Sequence, residues 1–304
     1  MAKDPSPIYV QKELFEDGDP GYDFEVLVNR LKGSPIQKKG KKLLAFGWYG
    51  GKFNHLDWLL PLLPSCHHYC EPFGGSAAML INRPPSPVET YNDIDGEVVN
   101  FFRVLREQRD ELIYCLSLTP FSREEFYYAC QVPEPEISNL ERARRFFVRA
   151  RQVRTGLAQK ASLGRWANCK KTSRAGMSGV VSRWLGSIDK LEEISERLLR
   201  VQIENRPYLE VLDLYDDDET LFYCDPPYVH DSRGDSKAYS FEMTDAEHEE
   251  FAEKLNDLKA KVAVSGYKCD LYDRIFKHWR RIEAPAKNCH SVKKSRTECL
   301  WINY

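Results

Sequence analysis

Apolar runs that suit short strands alternate along the chain with segments whose apolar residues recur at helical spacing. "HHYCEPF" (67–73) and "VETYNDI" (88–94) are strand candidates that end in turn-forming or acidic residues, and "SAAMLIN" (76–82) between them has helical character. A strand, a helix and a strand over this length predict a parallel crossover. "GEVVNFFRVLRE" (96–107) follows as a helix, with apolar residues three and four positions apart.

Helical patterns then dominate the middle of the chain. "SREEFYYAC" (122–130) begins with the spacing of a capping box, a serine followed three residues later by a glutamate. Two longer helices are predicted from "NLERARRFFVRARQ" (139–152) and "IDKLEEISERLLR" (188–200). In the first of these we expect Phe146 and Phe147 to anchor the helix within its own domain, and the arginines opposite them to meet phosphates.

After residue 200 strands and helices alternate again. The strand candidates are "TLFYC" (220–224), "KVAVSGY" (261–267), "RRIEAP" (280–285) and "ECLWINY" (298–304), with helices at "TDAEHEEFAEKLNDL" (244–258) and near "CDLYDRIFKHW" (269–279). His248 and His278 fall in these amphipathic helices and are expected at the surface. The alternation predicts an α/β fold with a mostly parallel sheet and helices on both faces, interrupted by a helical domain near residues 117–205.

Composition bears on the compartment. The chain has 304 residues, of which 42% are hydrophobic, enough for a large core in one domain or two. No apolar run approaches the length that spans a bilayer, and the N-terminus lacks the apolar core of a signal peptide. The nine cysteines are scattered and odd in number, which favours reduced thiols over a disulfide framework. We therefore expect a soluble, cytoplasmic protein without membrane contact.

The charge is distributed unevenly. From Arg142 to Arg183 there are twelve Lys or Arg residues and no Asp or Glu, whereas the net charge of the whole chain is −2. The remaining residues therefore carry −14. Aromatic and small residues are interleaved with the positive charge, which favours a surface for a phosphate backbone over an ordinary solvated basic helix.

Two irregular segments are the candidates for nucleic-acid contact. The run 155–179, rich in Gly, Ser and Asn, predicts a loop that becomes ordered on the nucleic acid and contacts bases. The turn "KNCHSVKKSR" (287–296) predicts a second contact with phosphates. The predicted residues of this contact, which would be DNA-binding if the nucleic acid is DNA, are Arg154, Lys160, Arg165, Lys170, Lys171, Arg174, Lys293, Lys294 and Arg296.

Two glycine pairs precede helix candidates. Gly50 and Gly51 stand with Lys52 before a helical stretch, an arrangement that can receive an anion at a helix N-terminus and that also occurs in simple turns. Gly74 and Gly75 turn the first strand into a helix and would let a ligand approach the backbone. The three-glycine dinucleotide fingerprint is missing from the sequence, which disfavours a nicotinamide cofactor.

An acidic residue ends the second strand candidate. Asp93 occupies the place where a Rossmann-type sheet binds ribose hydroxyls. The alternative is a helix cap for "GEVVNFF". Because Asp95 is nearer to that helix, Asp95 can act as the cap and leave Asp93 free.

The stretch "LFYCDPPYVHD" (221–231) places two prolines directly after a buried strand. Proline offers no N–H to a ladder, so pairing stops and leaves Asp225 and Tyr228 at the carboxyl edge of the strand. The Asp225 carboxylate and a proline carbonyl can accept hydrogen bonds from one amino group, while Tyr228 stacks on the base that carries this group. Stacking needs only the aromatic ring of Tyr228 and not its hydroxyl. Two such acceptors favour a pyramidal nitrogen that can attack an electrophilic methyl group. A paired base could reach this site only when flipped out.

Four motifs resemble, in order, those of the Dam-like (D12 class) DNA adenine-N6 methyltransferases, over roughly residues 44–107 and 218–304. They are "GWYGGK" (47–52), "EPFGGSA" (71–77), "YNDID" (91–95) and "CDPPY" (224–228). The resemblance implies a Rossmann-like methyltransferase sheet, mostly parallel with a reversed C-terminal strand. It also implies three parts of the chain, which are an N-terminal arm (1–42), a catalytic domain (43–116 and 206–304) and a helical target-recognition domain (117–205).

The resemblance further implies S-adenosyl-L-methionine as cofactor and double-stranded DNA as substrate, in a bacterial or phage-like setting. The expected catalytic residues are Asp225, Pro226, Pro227 and Tyr228. Of these, Tyr228 would stack on the flipped adenine. The expected cofactor-binding residues are Trp48, Gly50, Gly51, Lys52, Glu71, Pro72, Phe73, Gly74, Gly75, Asp93 and Asp225. Ala77 departs from the family pattern, which has a glycine there.

Other interpretations stay open. Methylation of cytosine N4 uses the same geometry, RNA is a weaker candidate substrate than DNA, and a catalytically silent nucleic-acid-binding protein is an alternative of another class. "CHHYC" (66–70) could suggest a metal, but alternate residues of a strand point to opposite faces, so we expect no metal site. We expect no obligate protein partner and a monomer or weak dimer.

Overall fold

The computed structural model describes residues 42–154, 165–229, 242–285 and 297–304. The predicted N-terminal arm lies outside these residues apart from Lys42. The strands are β1 (His68–Glu71), β2 (Val88–Asn92), β3 (Ser173–Arg174), β4 (Met177–Ser178), β5 (Gln202–Glu204), β6 (Thr220–Cys224), β7 (Lys261–Tyr267), β8 (Arg280–Glu283) and β9 (Glu298–Ile302). The α-helices are α1 (Leu56–Leu59), α2 (Ala78–Asn82), α3 (Gly96–Glu107), α4 (Arg109–Leu118), α5 (Arg123–Ala129), α6 (Asn139–Gln152), α7 (Gly179–Ile188), α8 (Leu191–Leu198), α9 (Tyr208–Leu214), α10 (Asp245–Asn256) and α11 (Asp270–Ile275).

One sheet organises the fold, with the strand order β5-β2-β1-β6-β7-β9-β8. The pairs β1–β2, β1–β6, β2–β5 and β6–β7 are parallel, whereas β9 runs antiparallel to both β7 and β8. The prediction of a mostly parallel sheet with a reversed C-terminal strand is confirmed. From β1 the chain proceeds to β2 on one side and later to β6 on the other, so the strand order reverses between β1 and β6.

The central strands are buried on both faces. In β6, Leu221 and Tyr223 belong to one hydrophobic core, and the alternate residues Phe222 and Cys224 belong to the other. Strands covered on both faces read as unbroken apolar runs, which is why "TLFYC" shows no polar alternation. Cys224 is fully buried, and burial raises the pKa of its thiol.

Helix α6 is fastened to α3 rather than to its own region alone. Phe147 stacks on Phe101 with ring centroids 5.5 Å apart and also packs against Trp184, while Phe146 contacts Phe46 and Phe101. Phe147 does anchor the helix to its own predicted domain, through Trp184, but both phenylalanines also pack against Phe101 of α3, which the prediction did not include. The core continues from the sheet into that region, and the domain boundaries stay a prediction.

The described part of the predicted loop 155–179 contains a hairpin, β3–β4. Its tip residues Ala175 and Gly176 have φ angles of 51° and 74°, which both central positions of a type I′ turn require. The expectation of a wholly irregular loop is thus wrong for residues 173–178. Residues 155–164 lie outside the described part of the chain.

His248 was predicted to lie at the surface, and this prediction is wrong. The side chain is fully buried where α10 packs on the sheet, and its Nδ1 lies 2.9 Å from the Tyr272 hydroxyl. The Tyr272 hydroxyl gives the buried imidazole a hydrogen-bond partner in this core. His278 follows α11 and is exposed, as predicted. No helix in the described residues is long and apolar enough to cross a membrane.

Candidate active site

A cavity of about 260 Å³ lies where β1, β2 and β6 end, at the reversal of strand order. Open α/β sheets bind ligands at such a crevice. The predicted cofactor residues on its wall are Trp48, Gly51, Lys52, Glu71, Pro72, Phe73, Gly74, Gly75, Asp93 and Asp225. Gly50 lies beside this wall, with its φ at 72°. Ile94, Pro207, Tyr208 and Met243 also line the cavity and were not foreseen.

The Gly74–Gly75 turn is held tightly against its neighbours. Gly74 N–H donates to the Asn92 carbonyl at 2.7 Å, and the Tyr91 hydroxyl donates to the Gly75 carbonyl at 2.8 Å. A Cβ atom at Gly74 would lie 2.2 Å from the Tyr91 ring, and one at Gly75 would lie 2.6 Å from Trp48. Both glycines are needed because no side chain fits between the turn and these rings.

Ala77 has a left-handed backbone conformation, which glycine adopts more readily than alanine does. Its φ and ψ are 53° and 27°, in the left-handed region, and its side chain is fully buried at the start of α2. This conformation costs an alanine about 1–2 kcal/mol. A glycine at this position, as in the family pattern, would adopt the same conformation without that cost.

Asp93 is tied to the backbone by both carboxylate oxygens. Oδ2 accepts from Gly75 N–H at 2.8 Å, and Oδ1 accepts from Asp95 N–H at 2.9 Å. Burial nevertheless raises the pKa of Asp93 to about 6. Asp95 caps α3 by accepting from Glu97 N–H at 3.0 Å, as predicted. Asp93 lines the cavity, but it is not free of the backbone as we had expected.

Glu71 contributes a second buried carboxyl group to the cavity wall. It lies at the end of β1 and accepts from the Tyr69 hydroxyl at 2.9 Å. Burial raises the pKa of Glu71 to about 8, in spite of that hydrogen bond and of the nearby Arg83. Near neutral pH the group is mainly protonated, so it can donate a hydrogen bond as well as accept one.

Asp225 follows β6 and is held by two partners. Lys52 Nζ lies 2.6 Å from Oδ1 and 2.8 Å from Oδ2, and the Ser265 hydroxyl donates to Oδ1 at 2.8 Å. Burial raises the pKa of the Asp225 carboxyl, and Lys52 opposes that rise. The carboxylate is thereby fixed at the rim of the cavity.

The Lys52 ammonium group has three N–H donors, and three acceptors surround it. Besides Asp225, it donates to the Gly50 carbonyl at 2.5 Å and lies 3.6 Å from Glu298 Oε1. Only 4% of its side chain is exposed. The charge of Lys52 therefore acts on Asp225 in this arrangement. The glycine motif gave no sign that Asp225 is its partner. A direct role for Lys52 in cofactor binding stays a prediction.

Tyr228 is buried beneath Lys52, with 4% of its surface exposed. Lys52 Nζ lies 4.8 Å from the ring centroid, and the Tyr267 ring packs edge-on at 4.8 Å. The Tyr228 hydroxyl donates to Glu298 Oε1, a hydrogen bond that the predicted stacking role does not include. Ser265 and Glu298 were missed because they lie on β7 and β9, far along the chain from the "DPPY" motif.

Exposed cations precede the hairpin along the chain and occur within it. Arg154, Arg165, Lys170, Lys171 and Arg174 are exposed, and none has an ion pair among the described residues. Arg154 N–H donates to the Arg165 carbonyl at 2.6 Å, which brings the two ends of segment 155–164 together. The other predicted DNA-binding residues, Lys160, Lys293, Lys294 and Arg296, lie outside the described part of the chain.

The arginines of α6 are paired within the chain. Arg142 and Arg149 contact Glu97, while Arg144 contacts Glu125 and Glu141. Arg145 contacts Glu134 and Glu141. These ion pairs give the four guanidinium groups partners within the chain, although Arg142 and Arg149 share the single carboxylate of Glu97. The expectation that helix arginines meet phosphates stays a prediction.

A mostly parallel sheet with one reversed strand, and a carboxylate beside a cavity at its switch point, together define a Rossmann-like methyltransferase. The chain matches the model of the D12 class N6 adenine-specific DNA methyltransferase over residues 48–297, and it belongs to this family. The protein is accordingly a DNA methyltransferase.

Two relatives are similar over most of their length. The Type II methyltransferase M1.LlaDCHI of Lactococcus lactis subsp. cremoris is 24% identical, over 88% of this chain and 98% of that protein. The Type II methyltransferase M.MjaIII of Methanocaldococcus jannaschii is also 24% identical, over 84% of this chain and 97% of that protein.

Proposed function

We propose that this protein transfers a methyl group from S-adenosylmethionine to the N6 amino group of a flipped adenine at a specific site in duplex DNA. The observation that carries the proposal is the placement of Asp225 and Pro227 at a cavity whose wall holds two further carboxyl groups, Glu71 and Asp93. The family to which the chain belongs supports adenine N6 as the acceptor.

The cavity suits the proposed cofactor chemically. Phe73, Ile94 and Tyr208 provide apolar surface for a nucleoside base, and Asp93 provides an acceptor for ribose hydroxyls. Glu71 adds a polar group for the amino-acid end. S-adenosylmethionine supplies an electrophilic methyl group when bound.

The residues of the chain would prepare the acceptor nitrogen. Asp225, held by Lys52 and Ser265, would accept a hydrogen bond from the target amino group, and the Pro226 carbonyl would accept a second. Two acceptors oppose conjugation of the nitrogen lone pair into the ring. Because neither group can reach a base inside the helix, the base must be flipped out, with Tyr228 as its stacking partner.

The base and the site can be tested together. Genomic DNA from cells that express the protein should contain N6-methyladenine at one short sequence, as read by sequencing that detects modified bases. DNA from cells expressing Asp225→Ala serves as the control. N4-methylcytosine at a fixed site would support the runner-up reaction instead, and unmodified DNA in both samples would contradict the proposal.

Asp93→Asn should weaken S-adenosylmethionine binding by about 1.5–3 kcal/mol, because a charged acceptor for ribose hydroxyls is lost. The pKa of Asp93 is about 6, so wild-type affinity should also fall as the pH drops below about 6 while the variant stays constant. Calorimetry without DNA, from pH 5 to 8, measures both effects.

Asp95→Asn is the matched control for Asp93→Asn. Asparagine caps helices as well as aspartate does, so α3 should remain intact and cofactor affinity should change little. Equal dissociation constants for Asp93→Asn and the wild type at pH 8 would assign Asp93 to the glycine turn alone.

Single alanine substitutions at Arg154, Arg165, Lys171 and Arg174 should separate phosphate contacts from base contacts. Loss of a phosphate contact should lower affinity on every sequence and reduce the salt dependence by about one unit per charge. Loss of a base contact should cost about 1–3 kcal/mol and relax the preference at one position. Binding to cognate and scrambled duplexes over a salt series distinguishes the two.

Arg274→Ala is the control for this series, since Arg274 is exposed but pairs with Glu249 on the neighbouring helix. If all four alanine variants of this series bind both duplexes as tightly as the control does, these exposed basic residues do not form the DNA surface.

A further inference from the structure

A buried carboxylate next to the site has no part in the reaction as proposed. Glu298 is the first residue of β9, opposite Tyr267 of β7, and only 7% of it is exposed. Burying a charged carboxylate is costly unless it is paired and hydrogen-bonded, so its partners indicate what it holds.

Both partners of Glu298 belong to the candidate active site. Its Oε1 accepts from the Tyr228 hydroxyl and lies 3.6 Å from Lys52 Nζ. Lys52 therefore stands between two carboxylates, Asp225 at 2.6 Å and Glu298 at 3.6 Å. Tyr228 is fixed from two sides, by Lys52 over its ring and by Glu298 at its hydroxyl.

We propose that Glu298 is a positioning residue for methyl transfer, which fixes the Tyr228 ring through its hydroxyl and shares Lys52 with Asp225. The inference rests on the proposed function and deepens it, because it adds a residue from the reversed strand to the machinery. Glu298 acts through Tyr228 and Lys52 and need not touch the substrate.

The shared lysine links the ionisation of the two carboxylates. A negative Glu298 draws Lys52 away from Asp225, and its charge also repels the Asp225 carboxylate. Both effects raise the pKa of Asp225. The titratable groups that face this pair from the surrounding elements are Lys52, Glu71, Tyr223, Cys224, Tyr228, Tyr267 and Tyr272. Among them Lys52 is the cation in contact with both carboxylates.

Glu298→Gln should therefore shift the acid limb of the kcat/KM profile for DNA to lower pH, because Asp225 then has Lys52 to itself. Saturating S-adenosylmethionine keeps the titration of Asp93 out of this profile. The single-turnover rate near neutral pH should fall about tenfold, because the bonds that fix Tyr228 and Lys52 lose their charge. A variant that merely damaged the fold would lower the rate without moving the limb.

Tyr228→Phe should shift the same limb in the opposite direction. Without the tyrosine hydroxyl, Glu298 depends more on Lys52, so Asp225 is stabilised less as an anion. The rate should again fall about tenfold, and the double variant with Glu298→Gln should lose less than the product of the two single losses. If Glu298→Gln does not fold, Tyr228→Phe alone decides through the sign of its shift.

Glu283→Gln is the matched control, an exposed carboxylate on the neighbouring strand β8, and it should leave both the rate and the pH profile unchanged. Suppose that the wild type methylates DNA and that Glu298→Gln is folded. If the variant then has the same rate and the same acid limb as this control, the proposed role of Glu298 is overturned. Tyr228→Phe without a shift would do the same. A wild-type enzyme that methylates no DNA would instead overturn the proposed function.

Discussion

Asp225→Asn should lower the single-turnover rate of methyl transfer by about 10²–10³-fold, on the scale of removing one preorganised hydrogen-bonding group from an active site. Asparagine keeps the shape but replaces one carboxylate oxygen with an NH₂ group. That group would face either the Lys52 ammonium or the target amino group, and both are donors. A labelled methyl group and excess enzyme measure the chemical step.

Asp218→Asn is the control for Asp225→Asn, because Asp218 is exposed and precedes the opposite end of β6. It should retain the wild-type rate. DNA affinity and the melting temperature of both variants should be compared, since Asp225 also pairs with buried Lys52. An Asp225→Asn enzyme that is folded and within a few-fold of the wild-type rate would remove Asp225 from the chemistry.

Arg197→Ala should lower the free energy of unfolding by about 3–5 kcal/mol, the usual cost of removing one partner from a buried ion pair. Arg197 and Glu89 are fully buried and joined by two hydrogen bonds of 2.5 and 2.6 Å. Arg197 also donates to the Leu80 carbonyl at 2.9 Å. The loss of Arg197 would leave the buried Glu89 carboxylate with weaker partners, the Arg83 guanidinium at 3.9 Å and the Ser86 N–H at 3.1 Å.

Urea denaturation with a fitted slope measures this loss. Arg200→Ala, an exposed arginine just beyond the end of the same helix, should change stability by less than about 0.5 kcal/mol. Replacing both partners, as Arg197→Met with Glu89→Gln, should recover part of the stability because no lone charge remains. Equal unfolding midpoints for Arg197→Ala and Arg200→Ala would contradict the assignment.

The same ion pair shows why domain boundaries in the middle of the chain are hard to predict from the pattern of apolar and polar residues. Helix α8 reads as one amphipathic helix among several, and nothing local indicates that Arg197 reaches β2. The short strand β5 and helix α9 were not predicted at all. Three residues at the edge of a sheet have too little periodicity to be recognised, although β5 pairs with β2 over Thr90–Asn92.

Active-site residues could be predicted where the chemistry lies within a few consecutive positions. Asp225 with its prolines and the Gly74–Gly75 turn form such local motifs, and the structure brings them to one cavity. Ser265 and Glu298 could not be found in this way. Each is a common residue in an apolar strand, and its meaning comes from a neighbour that lies 40 or 70 residues away in the chain.

The sequence by itself determined the alternation of elements, the sheet class and the positions of Asp93 and Asp225 at strand ends, because strand and helix periods and proline chemistry act over short distances. Only the tertiary structure decided which carboxylates share Lys52, and which arginines of α6 pair with glutamates of other elements. Charge interactions depend on separation in space and on burial, and neither can be read from the order of residues along a chain.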